Sequence, residues 1–165
     1  MSTKLKNGQS RYRSQAKVVT LSKFQLLKLV EATRCLNDAE FEKNGDVYLK
    51  FPLIIQGDGS PSEIFNLYLL KILQQTVQYN FKTFASIANQ LVDFQRFLED
   101  EKLDCLQFHN IKQFNAAFRY RTRLIDQINA GLISASSARG RINAVVNFYR
   151  LLVAENLVDH QRYGM

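Results

Sequence analysis

The sequence predicts an all-α fold: a four-helix bundle over residues 60–158, preceded by an N-terminal extension holding one short helix and one extended segment. Three observations lead there. After residue 60, apolar residues recur at steps of three and four through four long stretches, as they do along one face of a helix. Only 2 Pro and 7 Gly occur in 165 residues, so few positions interrupt such stretches. Hydrophobic residues make up 46% and charged residues 22%, which is globular composition with enough apolar matter for one core.

Residues 1–15 are polar and basic, with Lys4, Lys6, Arg11 and Arg13, and read as a mobile arm. Residues 16–59 form the extension. There Ser22 is placed to cap a helix from Lys23 to about Leu36, with Phe24, Leu27 and Val30 or Ala32 at roughly helical spacing. Asn37-Asp38 and Asn44-Gly45-Asp46 are breakers, with a helical turn from Asp38 to Lys43 between them. Val47 to Ile55 is rich in β-branched and aromatic residues, but Pro52 favours an isolated extended segment over a central strand. Gly57-Asp58-Gly59 is a turn.

The first bundle helix starts strongly. Ser60 serves as N-cap, Pro61 takes the first helical position and Glu63 closes a capping box. It runs to about Thr76 with Ile64, Leu67, Tyr68 and Ile72 inward. Thr83 caps the second helix, which reaches Glu101 with Phe84, Ile87, Ala88, Leu91, Phe94 and Leu98 on one face and Ser86, Asn89, Asp93 and Arg96 opposite. The third covers about Asn110 to Ala130, its apolar positions being Ile111, Phe114, Phe118, Ile125 and Ile128, and Gly131 ends it. Ser134 to Ser137 introduce the fourth, which runs to about Glu155 on a seam of Ala138, Ile142, Val145, Tyr149 and Leu152. Residues 159–165 are a tail.

The net charge is +7, and its placement says more than its total. Residues 1–30 carry seven basic side chains and no acid. Residues 31–104 carry seven basic and twelve acidic ones. Residues 105–150 carry seven basic ones against Asp126 alone. Two basic blocks thus flank an acidic one, which suits a polyanion held at the blocks or simply a solvated surface. On the fourth helix Arg139, Asn143, Asn147 and Arg150 fall within a stripe about 80° wide, with Arg141 on the other flank of the apolar seam. Arg and Asn pair bidentately with guanine and adenine, and either holds phosphate. Ser136 and Ser137 at the helix start add hydroxyls and backbone N–H groups for a phosphate oxygen. The second helix begins with Lys82, Thr83, Ser86 and Asn89 and no acid, and ends with Glu99, Asp100 and Glu101, so only its first half suits an anion. Arg119 and Arg123 are i,i+4 neighbours that repel unless an anion or carboxylate intervenes, Asp126 being the local partner for Arg123. Every amphipathic helix has a polar face, so ordinary solvation explains each stripe taken singly.

Other chemistry is poorly served. Two cysteines, Cys35 and Cys105, lie far apart, so neither a metal pair nor a disulfide framework is expected, and a reducing, cytoplasmic setting is the default. Two histidines and no close carboxylate pair leave no catalytic constellation; Asp93 and Glu99 sit six residues apart on different helix faces. Gly57-Asp58-Gly59 lacks the Lys and spacing of a phosphate loop. No cofactor or metal is expected. No stretch approaches ~20 apolar residues, and no apolar segment follows the basic start, so neither a membrane span nor a signal peptide is expected.

Several segments resemble the tyrosine recombinases, or phage integrases, specifically their core-binding (SAM-like) DNA-binding domain. Thr83 followed by Ile87-Ala88, Leu91, Phe94 and Leu98 is similar to that domain's Thr, Tyr-Ala, Leu, Phe, Leu pattern. Gly131 to Ile142 resembles the segment before its last long helix. Phe148-Tyr149-Arg150 with Glu155-Asn156-Leu157 resembles its exit. Phe51-Pro52-Leu53, Asp58-Gly59-Ser60-Pro61 and Asn66-Leu67-Tyr68-Leu69 are similar to integrase N-terminal regions. The resemblance covers about residues 50–158. Ile87 stands where the family has Tyr, Ser137 where it has Thr, Gly140 where a polar or basic residue is common, and the closing Asn-Pro is missing.

The resemblance implies a helical half-clamp that docks on double-stranded DNA at a recombination or attachment site, alongside other recombinase protomers, in DNA integration. Catalysis would belong to a separate domain carrying an Arg, Lys, His, Arg, His/Trp and Tyr set, so these 165 residues are expected to bind DNA without cutting it. The expected contacts are Lys82, Thr83, Ser86, Asn89, Ser136, Ser137, Arg139, Arg141, Asn143 and Arg150, with Arg119 and Arg123 acting through phosphate. The alternative is a helical protein-interaction module with a basic tail.

Overall fold

The structure is a computed structural model that describes residues 12–27 and 45–157. In chain order it has strand β1 (Lys17–Leu27), strand β2 (Gly45–Ile55), helix α1 (Glu63–Gln75), helix α2 (Phe81–Glu101), a 3-10 turn (Lys112–Phe114), helix α3 (Ala116–Asn129) and helix α4 (Ala135–Ala154). Among the described residues the four helices expected after residue 60 are present, but the all-α expectation is corrected: β1 and β2 form a two-stranded antiparallel sheet in the register Lys17↔Ile55 to Leu27↔Gly45. The expected helix from Lys23 begins inside β1, and Ser22 lies in the strand rather than at a cap; the rest of that helix, and the turn from Asp38 to Lys43, fall outside the described residues. Val47 to Ile55 is a paired strand and not an isolated segment. Pro52 sits opposite Thr20, and a two-stranded sheet leaves each strand one edge where a missing N–H costs nothing.

The hairpin joins the core through Phe51 and Ile54, both buried, and Phe24 stacks on Phe51 at 4.6 Å. Phe51 in turn meets Phe84 of α2 at 6.2 Å. Further along, Phe65, Phe94, Phe148, Tyr149 and Tyr120 interlock α1, α2, α4 and α3, with Phe65–Phe148 at 4.8 Å and Phe94–Tyr120 at 4.9 Å. Aromatic edges and faces of this kind add to burial at the centre of the bundle.

Helix starts differ in detail. Ser62, not Ser60, is the N-cap of α1; it is buried and donates to Gln95 Oε1 at 3.1 Å, while Pro61 bridges to Ile55 and Ser60 binds Asp58. Asn80, not Thr83, caps α2. The buried stripe of α1 runs through Phe65, Tyr68, Leu69 and Leu73, and Leu67 is exposed. In α3, which starts at Ala116, the buried residues are Ala116, Tyr120, Leu124 and Gln127, whereas Ile111, Phe114, Phe118 and Ile125 face outward. Gly131, at φ 67°, ends α3 in a left-handed turn closed by the Leu132 N–H on the Gln127 carbonyl.

No helix among the described residues is long and apolar enough to cross a membrane.

Candidate nucleic-acid interface

All four acidic side chains of α2 have partners within the molecule. Asp93 is buried; its Oδ2 accepts from the Tyr120 hydroxyl at 2.7 Å and the Tyr12 hydroxyl at 3.2 Å, and Arg141 pairs with its Oδ1 at 3.0 Å. Glu99 accepts from the Ser14 hydroxyl, the Gln95 amide at 2.8 Å and the Gly57 N–H at 3.1 Å. Asp100 accepts from the backbone N–H groups of Arg13 and Ser14 at 2.9 and 2.8 Å. Glu101 pairs with Arg119 at 2.6 Å and Arg123 at 3.7 Å.

This arrangement revises several sequence expectations. Asp93, expected on the outward face of its helix, is covered by Tyr12. Tyr12 to Gln15 belong not to a mobile arm but to a strap across α2, extended by the Arg96 Nε bond to the Ala16 carbonyl at 2.7 Å; residues 1–11 lie outside the described residues. Arg141 is engaged by Asp93. Arg119 and Arg123 straddle a carboxylate from another helix, Glu101 and not the local Asp126, which relieves their mutual repulsion. The Arg123 guanidinium also lies 5.1 Å from the Tyr12 ring centroid.

Removing these cations leaves a different set open. Lys82, Thr83, Ser86 and Asn89 on α2 are exposed, as are Ser136, Ser137, Arg139, Asn143 and Arg150 on α4. The two helices meet beside this set. A side chain at Gly140 would place its Cβ 3.1 Å from Gln90 Nε2, so α4 approaches α2 closely there, and the Arg141–Asp93 pair fixes the next contact. Ser86 and Asn89 lie within about one 5.4 Å turn of Gln90, and Arg139 and Asn143 within one turn of Gly140. These four therefore lie within about one turn of the crossing. Lys82 stands two turns back along α2, and Arg150 about 15 Å further along α4. Lys82, Arg139 and Arg150 have no carboxylate partner among the described residues.

Arg121 belongs to the dense basic cluster from Arg119 to Arg123 but is not among the contacts expected from the sequence. It is exposed, pairs with no carboxylate among the described residues, and lines the α3–α4 groove with Ile142 and Val146 beside the Arg139–Arg150 row. No local signal separated it from Arg119 and Arg123, because the carboxylate that claims those two lies 18 residues or more away in the chain.

Both helix starts are largely satisfied from within. The Asn80 side chain accepts from the N–H groups of Lys82 and Thr83. Ser134 accepts from the Ser137 N–H at 3.1 Å, and the Ser136 and Ser137 hydroxyls lie 3.0 and 2.9 Å from its oxygen. The open chemistry at the crossing is thus carried by side chains: ammonium and guanidinium for phosphate, amide and guanidinium for base edges.

Nothing in the described residues resembles an activated nucleophile. Burial pushes the Cys105 thiol up to about 12, and Tyr149 is buried with its hydroxyl donating to the Cys105 carbonyl at 2.8 Å. Among the described residues no three His, Cys, Asp or Glu side chains gather as metal ligands. Comparison with protein-family models, with curated proteins and with solved structures finds no match to this chain.

Proposed function

We propose that this chain is a DNA-binding module of the core-binding type used by integrase-type tyrosine recombinases. It grips duplex DNA through the α2–α4 face in DNA integration or recombination, and a separate domain performs strand cleavage. One observation supports this above the others. Arg119, Arg123 and Arg141 are tied to carboxylates, while among the described residues Lys82, Arg139, Arg150 and Arg121 have none; Arg139 stands with Ser86, Asn89 and Asn143 near the α2–α4 crossing, and Lys82 and Arg150 extend that row along the two helices.

The test is fluorescence anisotropy with a random 30-base-pair duplex across a salt series. Wild-type affinity should fall steeply with salt, because bound cations release counterions. Arg139→Ala and Arg150→Ala should each weaken binding at matched salt and flatten the log–log slope by about 1, as expected for a lost phosphate contact. Arg119→Ala should lower the unfolding midpoint and leave the slope near wild type. A flat wild-type plot would refute the reading.

One observation favours a second reading, the protein-interaction module. A cavity of about 130 Å³ between α3 and α4 is lined by Phe108, Ala117, Phe118, Ile142 and Val146, and Phe118 and Phe114 stand exposed nearby. This reading expects no binding to random duplex DNA in the same assay.

A further inference from the structure

The β1–β2 hairpin has no part in the helix face just described, yet it is fastened to it. The Tyr79 hydroxyl donates to the Lys50 carbonyl, Tyr48 packs edge-on against Tyr79 at 4.9 Å, and Phe51 meets Phe84. At the other end of β1, the Ala16 carbonyl binds Arg96. Strand β1 therefore runs alongside α2 in the opposite sense, from Arg96 back to Phe84. The ribbon flanks α2 on the side away from Gln90, where α4 docks. The open stripe of Lys82, Ser86 and Asn89 lies between the two.

The ribbon's charge is one-sided. Among its described side chains, residues 17–25 and 47–55, there are three lysines (Lys17, Lys23 and Lys50), all exposed, and no acid. The Lys50 ammonium sits 5.9 Å from the ring centroid of Phe81, the residue preceding Lys82, and the first turn of α2 has no carboxylate. Two cations thus share one end of α2. Lys23 adds a third nearby, one step along the strand from Ser22, the residue paired with Lys50. Its backbone is in the left-handed region at φ 60°, and the ladder omits the Lys23–Leu49 pair. A lysine there costs about 1 kcal/mol that a glycine would not.

We propose that the hairpin is a second DNA-contacting element, a rail whose Lys23 and Lys50 hold backbone phosphates flanking those at Lys82, with Lys17 further along β1. The six steps from Lys17 to Lys23 span about 20 Å at 3.3 Å per residue, the axial length of about six base pairs. This rests on the α2–α4 face binding duplex DNA, and it lengthens the footprint of that face.

The test adds Lys23→Gly, Lys50→Gln and their double variant to the anisotropy series, with Arg139→Ala as the reference and urea unfolding as the control. The double variant should lower the log–log slope by about 2, one for each lost phosphate contact. Lys23→Gly alone should weaken DNA binding while leaving the unfolding midpoint the same or higher, a combination that a purely structural lysine would not give. If the double variant keeps the wild-type slope while Arg139→Ala loses affinity, the hairpin lysines only guard a sheet edge and the inference fails with the helix reading intact. If the wild-type protein shows no salt-dependent binding, both fall together.

Discussion

Asp93 joins three parts of the chain through one carboxylate: Tyr12 from the strap, Tyr120 from α3 and Arg141 from α4. In Asp93→Ala two hydroxyls and a half-buried guanidinium lose their acceptor. We expect a loss of about 2–3 kcal/mol in urea unfolding, the lower end for a broken buried pair because Arg141 retains some solvent contact. Tyr120→Phe removes one hydrogen bond and should cost about 1 kcal/mol. Burial, reinforced by Asp93, pushes the Tyr12 hydroxyl up to about 12 and raises Tyr120 further; burial alone takes Tyr68 up to about 12. Each group binds its proton more tightly folded than unfolded. The contribution of Tyr12 and Tyr68 is therefore complete below pH 10, the unfolded tyrosine value, and is lost as pH climbs through about 12; for Cys105 the loss starts near pH 9. Melting temperature followed from pH 8 to 12 should be flat at first and then fall, and Tyr12→Phe should blunt the fall. A continuous decline from pH 8 would contradict this.

At the scale of elements, α2 is the strut to which everything else is attached. Its buried face takes the hairpin, α1, α3 and α4, and its acidic end takes the strap. Its C-terminus is less well made: Lys102 takes the left-handed position that closes the helix, at φ 54°, with the Leu103 N–H on the Leu98 carbonyl. Lys102→Gly should stabilise the fold by about 0.5–1 kcal/mol, since glycine reaches that backbone without a Cβ penalty. A drop in thermal midpoint would show that the lysine side chain contributes there instead. The same element shows how far periodicity carried. The expected face of α2 from Phe84 to Leu98 is the buried face, apart from partly buried Ile87. The α4 seam is buried likewise at Ala138, Val145, Tyr149 and Leu152. For α3 the apolar residues misled, because Phe114, Phe118 and Ile125 are exposed while Tyr120 and Gln127 face inward.

For the whole molecule, the sorting of cations matters more than their number. A net charge of +7 comes with carboxylates that are strapped or paired along α2 and with Lys82, Arg139 and Arg150 left without a carboxylate among the described residues. The salt dependence proposed above should therefore follow those open residues and not the total charge. The sequence by itself determined four helices after residue 60, the inward faces of α2 and α4, the turn at Gly57-Asp58-Gly59 and the end of α3 at Gly131. All of these are local: spacing within one helix, or the backbone freedom of one residue. The tertiary structure alone decided that Lys17 to Leu27 pairs as a strand, that Tyr12 covers Asp93, and that Arg119, Arg123 and Arg141 are engaged while Arg121 pairs with no carboxylate among the described residues. Strand pairing, hydrogen bonding and ion pairing join residues 18 to 81 positions apart, and no local pattern encodes which distant partner will arrive.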